Sequence, residues 1–350
     1  MTKSKLEDIC LIEKGKQIDT NLLSDSKPFK YINGGTKESG FYHDYNTSGP
    51  TITVSEGGAS CGHVGYFDEK FWCGCHCYKL TKCKVKPKYL YYALKSNQQR
   101  IMDLRTGAAM PNIKKELFKK LELLIDHDVV NQQTVIDNLD LLQQAIVSKK
   151  VELNELDNLI KSRFIEMFGD PDENPFGWDI VTINDVCSSI VRGPFGSALK
   201  KEFFVEKNDS TIKVYEQQHA IKKDATLGTY YVTYEKYLSL KRFECVAGDI
   251  LMSCSGTMGE LYQLPANCEK GIINQALCKF TLNNKMLPRV FLESMKYVVE
   301  QMDKKGSGIQ NIAAVSYVKA MKMCLPSMSK QKEFVNFYNL IDKSKFVCLR

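Results

Sequence analysis

The chain has 350 residues, 43% hydrophobic and 25% charged, with a formal net charge of +7. That length suits two domains better than one core; no apolar run reaches the roughly 18 residues of a membrane span, and Met1–Glu7 lacks the apolar stretch of a secretory signal. Thirteen cysteines is an odd number, and Cys278 and Cys324 sit in apolar runs, so the expectation is reduced thiols in a cytoplasmic protein. The positive excess fits a polyanion partner and equally fits simple solubility.

In chain order, Thr51–Val54 reads as a short strand bounded by glycine, Tyr78–Leu80 continues its sheet, and Tyr89–Lys95 has helical spacing. The glycines between 57 and 62 mark a hairpin turn, a plainer reading than a phosphate cradle. From Asn131 to Phe168 there is neither Gly nor Pro. Apolar residues recur there at gaps of four and three: Val135, Leu139, Leu142 and Ile146, then Leu153, Leu156, Ile160 and Met167, with Lys149 and Arg163 interrupting the seam. This heptad pattern predicts a helix roughly 55 Å long, docked along another helix. Gly169-Asp170-Pro171 stops it. Beyond, Asp249–Met252 and Ala276–Phe280 read as strands and Val290–Gln301 as a helix, followed by a last helix capped by Ser329. That helix runs through Glu333, Phe334, Phe337, Leu340 and Ile341 to Phe346.

The chain says the same thing twice. Lys5–Cys10 corresponds to Thr182–Cys187, Gly49–Gly65 to Ala247–Gly259, Val85–Tyr92 to Met286–Glu293, Gly107–Ile113 to Gly306–Ile312, and Gln132 to Gln331. The order holds while the offset drifts, which indicates two diverged copies of one domain rather than a solenoid of short repeats. The expected fold class is α+β: two similar mixed, mostly β domains (1–129 and 169–328) separated by long antiparallel coiled-coil helices (130–168 and a shortened 329–350). The shorter helix leaves part of the longer one's seam for another protein to cover.

The order of domain, long helix, the segment Met167–Trp178, domain and helix resembles the specificity (S) subunit of type I restriction-modification systems. The segments Arg192–Ser197, Leu199–Lys201, Ile212–Tyr215 and Gly306–Ile312 carry the likeness in the second copy, and Thr106–Ile113 is a degenerate form of the last. Resemblance spans nearly the whole chain. It implies a non-catalytic reader of double-stranded DNA, each globular copy taking one half of an asymmetric bipartite target. The helices would set the spacer and dock two methyltransferase (M) subunits. S-adenosylmethionine would sit on those partners and no cofactor on this chain; restriction (R) subunits would complete the complex. The short last helix departs from the family pattern and leaves room for self-association through the exposed seam.

Base edges are read by Arg, Lys, Asn and Gln, and phosphates are held by Lys, Arg, Ser and amides. On that chemistry the DNA candidates in the second copy are Arg192, Ser197, Lys200, Lys201, Tyr215, Gln217, Gln218, His219, Ser255, Gln310 and Asn311. In the first copy they are Lys16, Asn33, Lys37, Ser60, Arg105 and Asn112. The plain alternative for each is a solvated loop side chain. Cys61, His63, Cys73, Cys75, His76, Cys77 and Cys83 bring zinc to mind, but Cys73, Cys75 and Cys77 alternate as on one strand face, so buried thiols and no metal are expected. Two other classes stay open: a coiled-coil adaptor that reads no DNA, and an amino-methyltransferase-like enzyme suggested by Asn174-Pro175-Phe176. The latter lacks the motif's second proline and a nucleotide-binding βαβ unit upstream.

Overall fold

The computed structural model describes residues 1–107, 110–170, 173–304 and 315–348. They form two compact units, Met1–Ser148 and Lys149–Arg350.

In the first unit a four-stranded antiparallel sheet has the spatial order Leu11–Lys14, Cys77–Thr81, Thr51–Ser55, Val64–Phe67. A smaller sheet orders Phe41–Tyr42, Phe29–Ile32 and Phe71–Cys73, the last two parallel. Thr2–Lys5 pairs with Glu122–Ile125 as a two-stranded clasp. The second unit repeats this plan: Cys187–Arg192, Leu277–Leu282, Ile250–Ser253 and Leu261–Gln263 in one sheet, and Tyr231–Thr233, Thr211–Tyr215, Gly271–Ile273 and Glu244–Cys245 in the other. Again one pair, Thr211–Tyr215 with Gly271–Ile273, is parallel. Asp179–Thr182 and Lys322–Leu325 form the second clasp. Helices Pro87–Ser96 and Pro288–Lys304 occupy equivalent places. Each starts with proline, whose fixed φ and missing N–H suit a first helical turn.

The repeat is held together by one buried glutamine per unit, each 1% exposed. Gln132 accepts a hydrogen bond from the Lys86 N–H (2.9 Å) and donates to the Asp126 carbonyl (2.8 Å). Gln331 accepts from the Leu287 N–H (2.8 Å) and donates to the carbonyls of Lys285 (3.0 Å) and Pro326 (2.9 Å). Each amide thus ties the start of a trailing helix to the end of the clasp and to the entry of the preceding helix.

The long helix spans Val129–Phe168. Asp128 caps it, its carboxylate accepting from the N–H groups of Val130 (2.8 Å) and Asn131 (3.1 Å). Gly169 ends it at φ +79°, its N–H bonded to the Ile165 carbonyl at 2.7 Å. The last helix spans Met328–Cys348. Its cap is Ser327 rather than the expected Ser329: the Ser327 hydroxyl accepts from the Lys330 N–H at 3.4 Å, and Ser329 falls inside the first turn.

Within the second unit the two helices run antiparallel. Asp157 pairs with Lys345, Arg163 with Glu333, and Phe334, fully buried, lies 5.5 Å from the rings of both Phe164 and Phe168. Ile160 and Met167 are buried beside them, Ile341 is half-buried, and Phe337 lies under the Arg163 guanidinium. Leu153 and Leu156 are half-buried. Within the first unit Val135 packs against the core, and Leu139 lines an apolar groove with Tyr92 and Leu124. The predicted seam is not continuous, however. Leu142 is 59%, Ile146 50% and Leu340 64% exposed. A heptad stripe needs a partner along its whole length, and only its two ends meet the domain cores. Replacing Gln331 with Leu would leave three backbone groups without their partner, the Pro326 carbonyl in the interior, and should cost about 2–3 kcal/mol, read as a lowered urea midpoint of the full chain.

Candidate nucleic-acid interface

In the second unit the strand Cys187–Arg192 delivers Arg192 to the turn after Ser253. Its guanidinium donates weakly to the Cys254 carbonyl (3.5 Å) and lies 5.8 Å from the Phe195 ring. Two of its nitrogens, Nε and Nη1, are buried with no hydrogen-bond partner. Unpaired buried donors are costly, so the group is poised for an acceptor. Ser255 follows Cys254 directly, and the Gln217 amide lies 3.8 Å from where a side chain on Gly256 would begin. Arg192, Ser255 and Gln217 therefore meet at one turn. Ser197, Lys200 and Lys201 are exposed on the neighbouring 3₁₀ turns, with Lys200 3.6 Å from Glu202. Gln218 is half-buried and donates to Glu216 at 2.9 Å.

Two of the sequence candidates face inward. Tyr215 is fully buried and its hydroxyl donates to the Glu269 carbonyl at 2.6 Å. His219 is also fully buried; Nδ1 accepts from the Glu216 N–H (2.9 Å) and Nε2 donates to the Leu227 carbonyl (2.6 Å). Both ring nitrogens are used, which fixes one neutral tautomer and leaves nothing for a base edge. These two are structural residues. Gln310 and Asn311 lie outside the described residues.

In the first unit a set of loops brings most candidates together. The Lys16 N–H bonds the Cys73 carbonyl (2.8 Å), and Asn33 caps the next turn by accepting from the His76 N–H (3.2 Å). Ser55 donates to the Gly34 carbonyl, joining this loop to the turn that carries Ser60. Gly57 bridges Asn112, and Thr106 exchanges backbone hydrogen bonds with Asn112. Arg105, exposed, donates to the Met102 carbonyl at 2.6 Å beside them. Lys37 is exposed on the loop after Asn33. Lys95, Tyr66 and Tyr91, not marked by the sequence, and His63, read there only as a possible metal ligand, share a cavity with Lys37. Only the helical spacing of Tyr91 and Lys95 hinted at a common face.

The cysteine-rich stretch is buried only in part, with Cys75 and Cys83 half-buried and His76 exposed. Cys61, Cys73 and Cys77 are buried, and the Cys61 thiol donates to the Glu56 carbonyl at 3.1 Å. Among the described residues no cluster of three or more His, Cys, Asp or Glu is placed to hold a metal. No helix among them is long and apolar enough to cross a membrane.

The type I restriction modification DNA specificity domain matches this chain twice, over residues 1–158 and 175–345. The chain belongs to that family. A protein named as a type I specificity subunit of Mycoplasma pneumoniae is 31% identical over 158 residues, covering 44% of this chain and 42% of the relative. A Mycoplasma genitalium counterpart is 32% identical over 158 residues, 44% of this chain and 41% of that one. The match thus spans less than half the length of these curated relatives. Among solved structures, the S subunit of M. genitalium superposes over 99% of this chain and 90% of that chain with TM-score 0.61 at 20% identity. A chain from a structure concerned with complex assembly and conformational transition of the type I R-M system gives TM-score 0.54 at 10% identity, over 99% and 91%. At such identities the likeness is one of fold, and it covers both sheet units of this family member.

Burial holds the His219 imidazole below its ordinary pKa of 6.5. A neutral histidine in the fold that would protonate more readily when unfolded gives stability that is complete above about pH 6.5 and declines as pH falls below it. His219→Gln should flatten that decline as pH falls below about 6.5, measured by urea unfolding at each pH.

Proposed function

We propose that the chain is the DNA-reading subunit of a type I restriction-modification complex, each globular unit reading one half of an asymmetric bipartite target in double-stranded DNA. The observation that carries this reading is the duplicated two-sheet unit with different side chains on equivalent loops. Arg192, Gln217 and Ser255 stand at one turn of the second copy; Asn33, Ser60, Arg105 and Asn112 stand on the joined loops of the first. One scaffold used twice with unlike surfaces suits two unlike half-sites about one helical turn, roughly 34 Å, apart. Lys16, Lys37, Ser197, Lys200, Lys201 and Gln218 complete the surface as phosphate or positioning contacts.

The helices act as an antiparallel coiled-coil spacer and as the dock for two M subunits, which carry S-adenosylmethionine and the chemistry; R subunits join the full complex. Supporting this, the midsection of the long helix presents Leu141, Leu142, Ile146, Val147 and Val151, each at least half exposed. Isolated exposed hydrophobics are ordinary, but five within eleven residues, spread around the helix rather than along one face, leave apolar surface for partners on more than one side. A second copy of the chain is the competing occupant. The domains are assigned as 1–129 and 169–328, with 130–168 and 329–350 as spacer helices.

Exchanging residues 169–328 for the corresponding domain of another family member should change one half of the methylated sequence and leave the other, read by sequencing modified DNA. A change in both halves, or in neither, would refute the division of labour. Replacing Lys200 and Lys201 with Ala should weaken binding of the assembled complex to all sequences alike and reduce the salt slope by up to about two. An unaltered slope across a salt titration removes these lysines from the interface.

A further inference from the structure

The two units differ in what covers one face of the antiparallel sheet that contains Thr51–Ser55 in the first and Ile250–Ser253 in the second. In the second unit the helix Gln217–Lys222 packs on strands Ile250–Ser253 and Leu261–Gln263, with Ala220 buried in one cluster with Leu251 and Tyr262 at its edge. Strand register identifies the counterparts in the first unit and matches Gly65 with Tyr262, not with Gly259 as the sequence alignment of the two copies has it. Leu251 stands opposite Lys279 and Tyr262; Thr53 stands opposite Lys79 and Gly65. A leucine and a tyrosine are thus replaced by a threonine and a glycine. After Phe29–Ile32, moreover, no helix follows, and residues 33–40 run as a loop. The volume that the second unit fills with its helix and large side chains is left in the first as a cavity of about 300 Å³. That is at the lower end of the range for small-molecule sites, about 300–1,000 Å³.

Its lining is cationic and aromatic. Lys37 from the loop, Lys95 from the helix Pro87–Ser96 and His63 from the turn before Val64 converge on it, and Glu38, exposed, is the one acid among the lining residues. The Lys95 ammonium lies 5.9 Å from the centroid of the Tyr91 ring, which is 5.3 Å from that of Tyr66. Burial holds Lys95 below the ordinary lysine pKa, and burial followed by Lys95 itself does the same to His63. Converging donors of like sign in a half-buried site repel one another until an anion joins them. A tetrahedral oxyanion presents acceptors in several directions at once, whereas a carboxylate presents them in one plane.

We propose that this cavity binds a phosphate group, supplied either by the backbone of bound DNA, a source that rests on the DNA-reading proposal, or by a free nucleotide. The test follows the imidazole signals of His63 by ¹H–¹⁵N NMR in the full chain, assigned with His63→Gln, during titration with inorganic phosphate, AMP and a DNA duplex. Phosphate should move those signals, and the double variant Lys37→Ala/Lys95→Met should weaken its binding roughly tenfold or more with circular dichroism unchanged. Displacement of phosphate by duplex assigns the site to the DNA backbone. AMP binding more tightly than phosphate, with no competition from duplex, assigns it to a nucleotide. If duplex binds with an affinity sensitive to Lys200 and Lys201 while none of the three ligands moves His63, the cavity proposal is wrong and DNA reading stands. If duplex fails to bind while phosphate still moves His63, the site stands and DNA reading falls.

Discussion

A primary amide buried at the root of each trailing helix is the constraint on which both halves of this molecule depend. Gln132 and Gln331 satisfy backbone groups that the chain cannot pair within its own helices or strands: the N–H at the entry of one helix and the carbonyl that ends a clasp strand. Buried peptide groups left unpaired are costly. The amide has both a donor and an acceptor end, so it answers two of them from one position. Glutamate would lose the donor and leucine both. The sheet unit and the helix that leaves it are thereby held as one piece, and this holds in each copy.

On that common frame the copies diverge at their loops and in what covers the sheets. The second unit closes its antiparallel sheet with the helix Gln217–Lys222, and Tyr215 and His219 make interior hydrogen bonds. The first leaves the same place open over Thr53 and Gly65, with lysines and tyrosines around it. Divergence of this kind changes what a surface can recognise without disturbing the strands that carry it, as expected where function sits on loops above a rigid scaffold.

The long helix belongs to a different economy of contacts. Its two ends are stabilised by the cores they touch: Ile136 in the first, Phe164 and Phe168 in the second. Its middle leaves Leu141, Leu142, Ile146, Val147 and Val151 exposed around the helix. Each fully buried leucine or isoleucine contributes about 1.5–3 kcal/mol, a gain that these exposed side chains do not make within the chain's own fold. Arg163 and Glu333, paired at 3.2 Å beside the buried Phe334, illustrate how a covered stretch is finished at its rim.

The duplication, the helix and its stop were legible in the sequence because they rest on local rules: glycine and proline at an end, apolar spacing of three and four. The family resemblance rested on the same local segments. Whether a heptad stripe is covered, which serine caps, and whether a histidine faces outward were not legible. Leu142 and Ile160 occupy like places in one pattern, yet one is 59% and the other 4% exposed. His219 looked like a DNA contact until the Leu227 carbonyl and the strands from 250 to 263 closed around it. The cavity under Lys37 needed the register that sets Thr53 against Gly65 and the approach of a helix some thirty residues further on. Periodicity and capping act between neighbours along the chain and can be read from order alone. Burial, cavities and unpaired donors arise where distant segments meet, and only the folded arrangement decides them.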